Sequence, residues 1–180
     1  LSNTITLTHN FNDNWNVNFI NGIRYYETEL FSNTRPNTSG GTISEAGDWT
    51  RSIQRSKVKD NYFTQQANLN GKFSIGKTKH QFLFGADVEN YKTNTTRYKN
   101  YSNYDTINIF EDYNPANEPA IPTLDLASYT QNPVSRFGIY TQDLISFTEK
   151  WKLLAGVRYT YQDTESNVLT YNNDGTTSTD

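Results

Sequence analysis

The chain has 180 residues, with 16 Lys and Arg against 19 Asp and Glu for a formal net charge of −3, and no cysteine. That length allows one domain; the charge makes no case for nucleic-acid binding, and a disulfide framework or thiolate metal site is excluded. Leu, Ile, Val and Phe supply only 38 residues, near the level of disordered chains, yet 13 Tyr, 10 Phe and 3 Trp at so low a net charge argue for order.

Six segments alternate apolar and polar residues in chain order. Ile5, Leu7, His9 and Phe11 interleave with threonines and Asn10, and Trp15, Val17, Phe19, Ile23 and Tyr25 share a parity against Asn16, Asn18 and Arg24. Phe63, Ala67, Leu69 and Phe73 follow, then Phe82, Phe84, Ala86 and Val88. Phe137 to Phe147 and Trp151 to Tyr161 complete the set. Period two repeated this often predicts strands, and 23 Asn with 24 Thr suit turns and strands better than helices. No apolar run approaches the roughly 18 residues of a membrane helix. The opening residues alternate rather than forming a leader, so the chain is expected to be a mature fragment or an internal slice.

The connections are of two kinds. Asn12 to Asn14, Ser74 to Lys79 and Thr148 to Lys150 are short, whereas Phe31 to Ser56 and Tyr98 to Asn132 are long and polar, and a third long one begins near Thr170 and runs to Asp180. Aromatic residues flank each short turn: Phe11 and Trp15, Phe73 and Phe82, Phe147 and Trp151. A second set lies about ten residues along the strands, pairing Trp15 with Tyr25, Phe63 with Phe73, Phe82 with Tyr91, Phe137 with Phe147, and Trp151 with Tyr161. Ten residues at about 3.3 Å each, tilted roughly 40°, rise about 25 Å, the separation of the two aromatic girdles of a membrane barrel. The expected fold is therefore all-β, an antiparallel up-and-down transmembrane barrel segment of about six strands in three hairpins, with long extracellular loops. The apolar face is expected to meet outer-membrane lipid.

One register stays open. A two-residue turn at Thr148-Glu149 puts Asp143 on the lumen face with Lys152 and Arg158, where all three are expected. It also turns Phe137 and Phe147 inward. A three-residue turn sends those two Phe residues to lipid and takes Asp143 with them. A bulge would reconcile both.

"RFGIYTQD" at 136–143 with "WKLLAGVRYTYQD" at 151–163 resembles the G-x-Y-x-Q-D and W-x-L-x-x-G-x-R-Y-D strand pair of TonB-dependent siderophore receptors, on Gly138, Tyr140, Gln142, Asp143, Trp151, Leu153, Gly156, Arg158 and Tyr159. Thr160 stands where the family has an aspartate. "GKFSIGKTKHQFLFGADVE" at 71–89 is similar to a second family hairpin, and ferrichrome-type receptors look nearest. The resemblance implies a 22-stranded outer-membrane barrel of a Gram-negative bacterium, plugged by an N-terminal domain and importing ferric siderophores with energy from the TonB complex. Residues 1–180 would then be part of that barrel domain, with the plug and the remaining strands outside the chain and Asp180 not the family's terminal aromatic.

No catalytic constellation stands out, so no enzyme and no resident cofactor or metal is expected; His9 and His80 lie far apart on or beside strands, in structural roles. The most suggestive run is Arg97 to Pro115, where Arg97, Tyr98, Tyr101, Tyr104, Phe110 and Tyr113 offer aromatic faces and donors suited to a bulky polar chelate that already holds its iron. Trp49 and Arg51 in the other long connection are weaker candidates. Acids nearby (Asp105, Glu111, Asp112) argue against nucleic acid. Cobalamin, another metal chelate or a glycan are alternative cargoes. A soluble carbohydrate-binding β-sandwich is the alternative from another class, but it would need two facing sheets with loops of similar length at both ends.

Overall fold

A computed structural model describes residues 1–37 and 41–179, so residues 38–40 of the first long connection, and Asp180 with its expected role at the chain's end, lie outside it. The described residues form nine strands: β1 (Ser2–Asn12), β2 (Trp15–Asn33), β3 (Asp48–Ile75), β4 (Thr78–Tyr98), β5 (Tyr101–Asn108), β6 (Leu126–Ser146), β7 (Lys152–Thr164), β8 (Asn167–Tyr171) and β9 (Thr177–Thr179). They make one sheet in the order β1-β2-β3-β4-β6-β8-β9, with β5 on β3 and β7 on β6. The one helical element among the described residues is a 3-10 turn over Pro115–Asn117, capped by Asn114. All six expected strands are present, and three are additional: β5 within the second long connection, β8 starting just ahead of the third, and β9 within the third. The chain divides into two compact units. One comprises residues 1–26, 60–93 and 132–166, and the other 27–59, 94–131 and 167–180.

The first unit holds the three tight hairpins. Between β1 and β2, Asn12 pairs with Trp15 and its side-chain oxygen accepts from the backbone N–H groups of Asn14 and Trp15 at 2.9 and 3.0 Å. That Asx turn explains why Asn opens the loop. Between β3 and β4, Gly76 takes φ +60° while Lys77 does not, as a two-residue turn with its left-handed residue first requires. Between β6 and β7 the Phe147 N–H donates to Trp151 O at 3.0 Å, and Thr148 Oγ1 accepts from the Trp151 N–H at 3.0 Å. This is the three-residue turn, and pairing runs unbroken from Ser146–Lys152 to Val134–Thr164 with no bulge.

The two faces of this unit differ in chemistry. On the polar face Gln66 donates to the Tyr140 hydroxyl at 2.6 Å, and that hydroxyl donates to Asn68 at 2.6 Å. Arg158 grips Asp87 with two bonds of 2.7 and 2.8 Å and lies 5.1 Å over the Tyr140 ring. Asn70 donates to Asn16, Tyr62 to Glu89, and Arg136 to both Glu89 and Gln162. Opposite-facing positions carry Ile5, Leu7, Phe19, Ile23, Phe84, Ile139, Leu153 and Val157, all exposed. Ile20, Leu83, Val134, Leu144 and Leu154 are apolar residues at positions of the polar side. Among the described residues of this unit no buried hydrophobic cluster forms, so no second sheet covers the apolar face as a β-sandwich would require.

Gly85 shows how tightly the polar face is fitted. A Cβ there would stand 2.3 Å from the Tyr140 ring. Gly85→Ala is expected to push that ring aside and break its bonds to Gln66 and Asn68, costing about 1–3 kcal/mol, as overpacking does. Urea unfolding in lipid vesicles checks this, and an unchanged midpoint would refute it.

Two expectations need correction. Asp143 pairs opposite Ala155 and so shares the face of Ile139, Ile145, Leu153 and Val157, away from Lys152 and Arg158 on the polar face. The three-residue turn is the physical reason. Tyr91 does not join the apolar-face aromatics: its hydroxyl donates to Asp60 at 3.3 Å and its ring packs edge-on against Tyr62, which itself donates to Glu89. Nine residues separate Phe82 from Tyr91, an odd number that changes face.

His80 explains how Asp143 is accommodated. Its Nδ1 stands 2.6 Å from Asp143 Oδ2, and its Nε2 stands 3.0 Å from Thr78 Oγ1. Thr78 gives its only hydroxyl proton to Ile75 O at 2.8 Å, so toward His80 it can only accept. The imidazole stacks on Phe73 at 4.9 Å with parallel planes, and Phe73 stacks in turn on Trp15 at 6.2 Å. The carboxylate expected to be costly on this face is therefore bonded to an imidazole that is itself stacked on Phe73.

Candidate ligand-binding site

The second unit carries the residues expected to meet a ligand. β5 pairs with the start of β3, placing Trp49 opposite Ile107, Thr50 opposite Thr106 and Arg51 opposite Asp105. The register then shifts, so that Ile53 pairs with Tyr101. The shift gathers a small core of Ile53, Tyr104 and Leu124, with Tyr98 packed against it. Asn103, at φ 55°, takes the left-handed turn that asparagine tolerates beside this kink.

Arg51 is the electrostatic centre of this unit. It is 7 % exposed, donates through Nε to Asp105 at 2.6 Å and through its terminal nitrogen to the other Asp105 oxygen, and lies 3.5 Å from Glu118. The Tyr113 ring lies 5.5 Å from its guanidinium carbon. The hydrogen bonds to Asp105 hold the Arg51 pKa above its ordinary value, against the effect of burial. Burial, assisted by Glu118 and Asp105, raises the Tyr104 phenol. That hydroxyl donates to Pro119 O. Along β2 and β3, Glu29 accepts from Arg55 at 2.6 Å and meets Lys57 at 3.1 Å, while Lys59 meets Glu27 at 3.3 Å. The bonds from Arg55 and Lys57 hold the Glu29 carboxyl below the usual range. Arg55 covers the Tyr98 ring at 4.9 Å.

The expected ligand residues thus separate into two groups. Arg51, Tyr98 and Tyr104 are committed to holding the unit together. Tyr101, Phe110 and Tyr113 are exposed by 45, 74 and 50 %, and Arg97 is exposed as well. Trp49 is half-buried and engaged within the structure. Phe110 is steadied by the turn before it, where its N–H donates to Asn108 at 2.9 Å and the Asn108 amide donates to Ala46 O and Asp48. Tyr113 borders a recess of about 180 Å³ lined also by Asn114, Asn117, Glu118 and Asp105. Among the described residues no group of three or more His, Cys, Asp or Glu could hold a metal ion.

A family profile described as "TonB dependent receptor-like, beta-barrel" matches residues 1–180, the whole chain. The chain belongs to this TonB-dependent receptor β-barrel family. Its members are transport receptors, and its siderophore receptors are outer-membrane proteins. The chain is 26 % identical over 182 residues to the "Probable TonB-dependent siderophore receptor PiuA" of Acinetobacter baumannii, covering 92 % of this chain and 24 % of that protein. Among solved structures, the open form of the ferric-catecholate import receptor Fiu of E. coli K12 matches with a TM-score of 0.78 at 18 % identity, covering 94 % of this chain and 26 % of Fiu. The siderophore receptor PiuA of A. baumannii matches with a TM-score of 0.74 at 22 % identity, covering 99 % of this chain and 27 % of PiuA. These structural matches establish a shared fold. The chain spans about a quarter of the length of the relatives it matches.

Within the family fold, Arg158 was expected on the lumen face, whereas its bonds to Asp87 and those of Tyr140 to Gln66 and Asn68 are the site-like features that sequence reasoning did not foresee. A signal was available: Gln66, Asn68, Asp87 and Arg158 all fall at the polar parity of their strands.

Proposed function

We propose that residues 1–180 are part of the barrel wall of an outer-membrane receptor that takes up ferric siderophores, drawing energy from the TonB complex through a plug domain encoded elsewhere in the full reading frame. The observation that carries this reading is the two-faced sheet of the first unit. An apolar face with no protein cover and a polar face knitted by charge-assisted bonds suit a wall between lipid and a water-filled lumen. Trp15, Phe11, Phe73, Phe82, Phe147 and Trp151 would mark the lipid interface at the short turns, and Tyr25, Phe63, Phe137 and Tyr161 the opposite interface. PiuA, named as a siderophore receptor, and Fiu, titled a ferric-catecholate import receptor, support an iron chelate as cargo. No resident cofactor is needed, because the cargo brings its own metal.

The exposed aromatics of the second unit would contact the chelate. Replacing Tyr101, Phe110 and Tyr113 together by alanine in the full-length receptor is expected to weaken binding of a ferric siderophore about ten- to a thousandfold, at about 0.5–1.5 kcal/mol lost per aromatic contact. Outer-membrane insertion should be unchanged. Equal affinity of the wild-type and triple-variant receptors in a direct titration would remove these residues from the site.

A further inference from the structure

Phe110 is 74 % exposed, yet the chain around it is fixed from both long connections of the second unit. Its N–H donates to Asn108 Oδ1 at 2.9 Å, and the Asn108 amide donates to Ala46 O at 2.8 Å and to Asp48 Oδ1 at 3.0 Å. The Ile109 N–H donates to Gly47 O at 2.9 Å. Within the first connection, the Gly47 N–H donates to Ser44 O at 2.9 Å and the Asp48 N–H to Ser44 Oγ at 3.0 Å. Both polar atoms of the Asn108 side chain are thereby spent on placing residue 110. Gly47 is the residue that this seat needs to be small. It takes φ +92°, on the left-handed side that L side chains resist. A Cβ there would also stand 2.8 Å from Asn108 Oδ1 and closer still to the Phe110 ring. The ring therefore rests against bare backbone while most of its surface stays open.

An aromatic this exposed buries too little to hold the unit together, and the core of Ile53, Tyr104 and Leu124 forms without it. What the seat supplies is order. Fixing a side chain before the ligand arrives spares the cost of immobilising it, about two- to tenfold in affinity for one ring. We propose that Gly47 and Asn108 are positioning residues of the ligand site, holding Phe110 as a preset contact surface for the cargo. The inference rests on the reading that the exposed aromatics meet the chelate. Residues 44–48 then shape binding without touching the cargo, by the place they give to one ring of the other connection.

The test uses the full-length receptor and whichever of two probes, a ferric tris-hydroxamate or a ferric tris-catecholate, binds wild type more tightly in a direct titration. Phe110→Ala is expected to weaken binding about two- to tenfold, and Gly47→Ala and Asn108→Ala should each reproduce most of that loss. In the Phe110→Ala background neither should weaken binding further, because the ring they position is gone. Hydrogen exchange over residues 101–107 should stay as in wild type in both single variants. A further loss in the Phe110→Ala background, or lost protection over residues 101–107, shows Gly47 and Asn108 holding the fold rather than the ring, and overturns the proposal. So does wild-type affinity in either single variant when Phe110→Ala binds weakly. Wild-type affinity in Phe110→Ala, or no binding of either probe by the wild-type receptor, overturns the reading of the site itself and the proposal with it.

Discussion

Replacing His80 by leucine is expected to destabilise the barrel wall by about 2–3 kcal/mol, more than most single changes in a strand. The reason is what stays behind. Asp143 Oδ2 would lose its 2.6 Å partner, and its Oδ1 already has none. An uncompensated carboxylate would then stand among Phe73, Ile145 and Leu153. Asp143→Leu should cost less, because the imidazole that remains can be neutral and keep its contact with Thr78. The double variant, His80→Phe with Asp143→Leu, should recover most of the loss, since well-packed apolar residues replace a buried ion pair at little cost. Urea unfolding of the receptor in lipid vesicles measures all three. A His80→Leu variant as stable as wild type, or a double variant worse than either single, would show that the pair does not support this face.

Arg51→Met should have a comparable effect, confined to the second unit. Arg51 and Asp105 have side-chain exposures of 8 and 12 %, so removing the cation leaves a buried carboxylate beside Glu118 and frees Tyr113 from its stacking partner. About 3 kcal/mol of local stability should go with it. Arg55→Met provides the contrast. Its ion pair with Glu29 has side chains 35 and 39 % exposed, so water screens it and its loss should leave protection nearly unchanged. Hydrogen exchange over residues 101–119 reads the difference directly. Protection that falls equally in both variants would contradict the assignment of Arg51 as the centre of this unit.

The alternation of Trp15 to Tyr25 and of Trp151 to Tyr161 made the strands of the wall legible, because one face had to be apolar at every second position. β5, β8 and β9 were not legible for the complementary reason. "YSNYDTIN", "NVLTY" and "TST" form strands too short or too irregular to sustain an alternation, and they are held by pairing with β3, β6 and β8 respectively. Asp143 was undecidable locally, because the residue that makes its position tolerable is 63 positions away. The parity of His80 with Phe82 and Phe84 was the available hint. Tyr91 was misplaced by attending to distance along the strand without parity. At the candidate ligand site, aromatic content was visible in the sequence. The division between structural Tyr98 and Tyr104 and exposed Tyr101, Phe110 and Tyr113 was not, since it depends on a register shift between Arg51 and Ile53.

The absence of cysteine from the chain permits the most direct test of the lipid-facing wall. Single cysteines introduced in turn from Lys152 to Tyr161 in the full-length receptor can each carry a nitroxide label, with collision rates measured for oxygen, which concentrates in lipid, and for a water-soluble nickel chelate. Oxygen should dominate at positions 153, 155, 157 and 159 and the chelate at 152, 156, 158 and 160, with position 143 following the oxygen set. Uniform access by the chelate along the whole strand, or the opposite parity, would contradict the account.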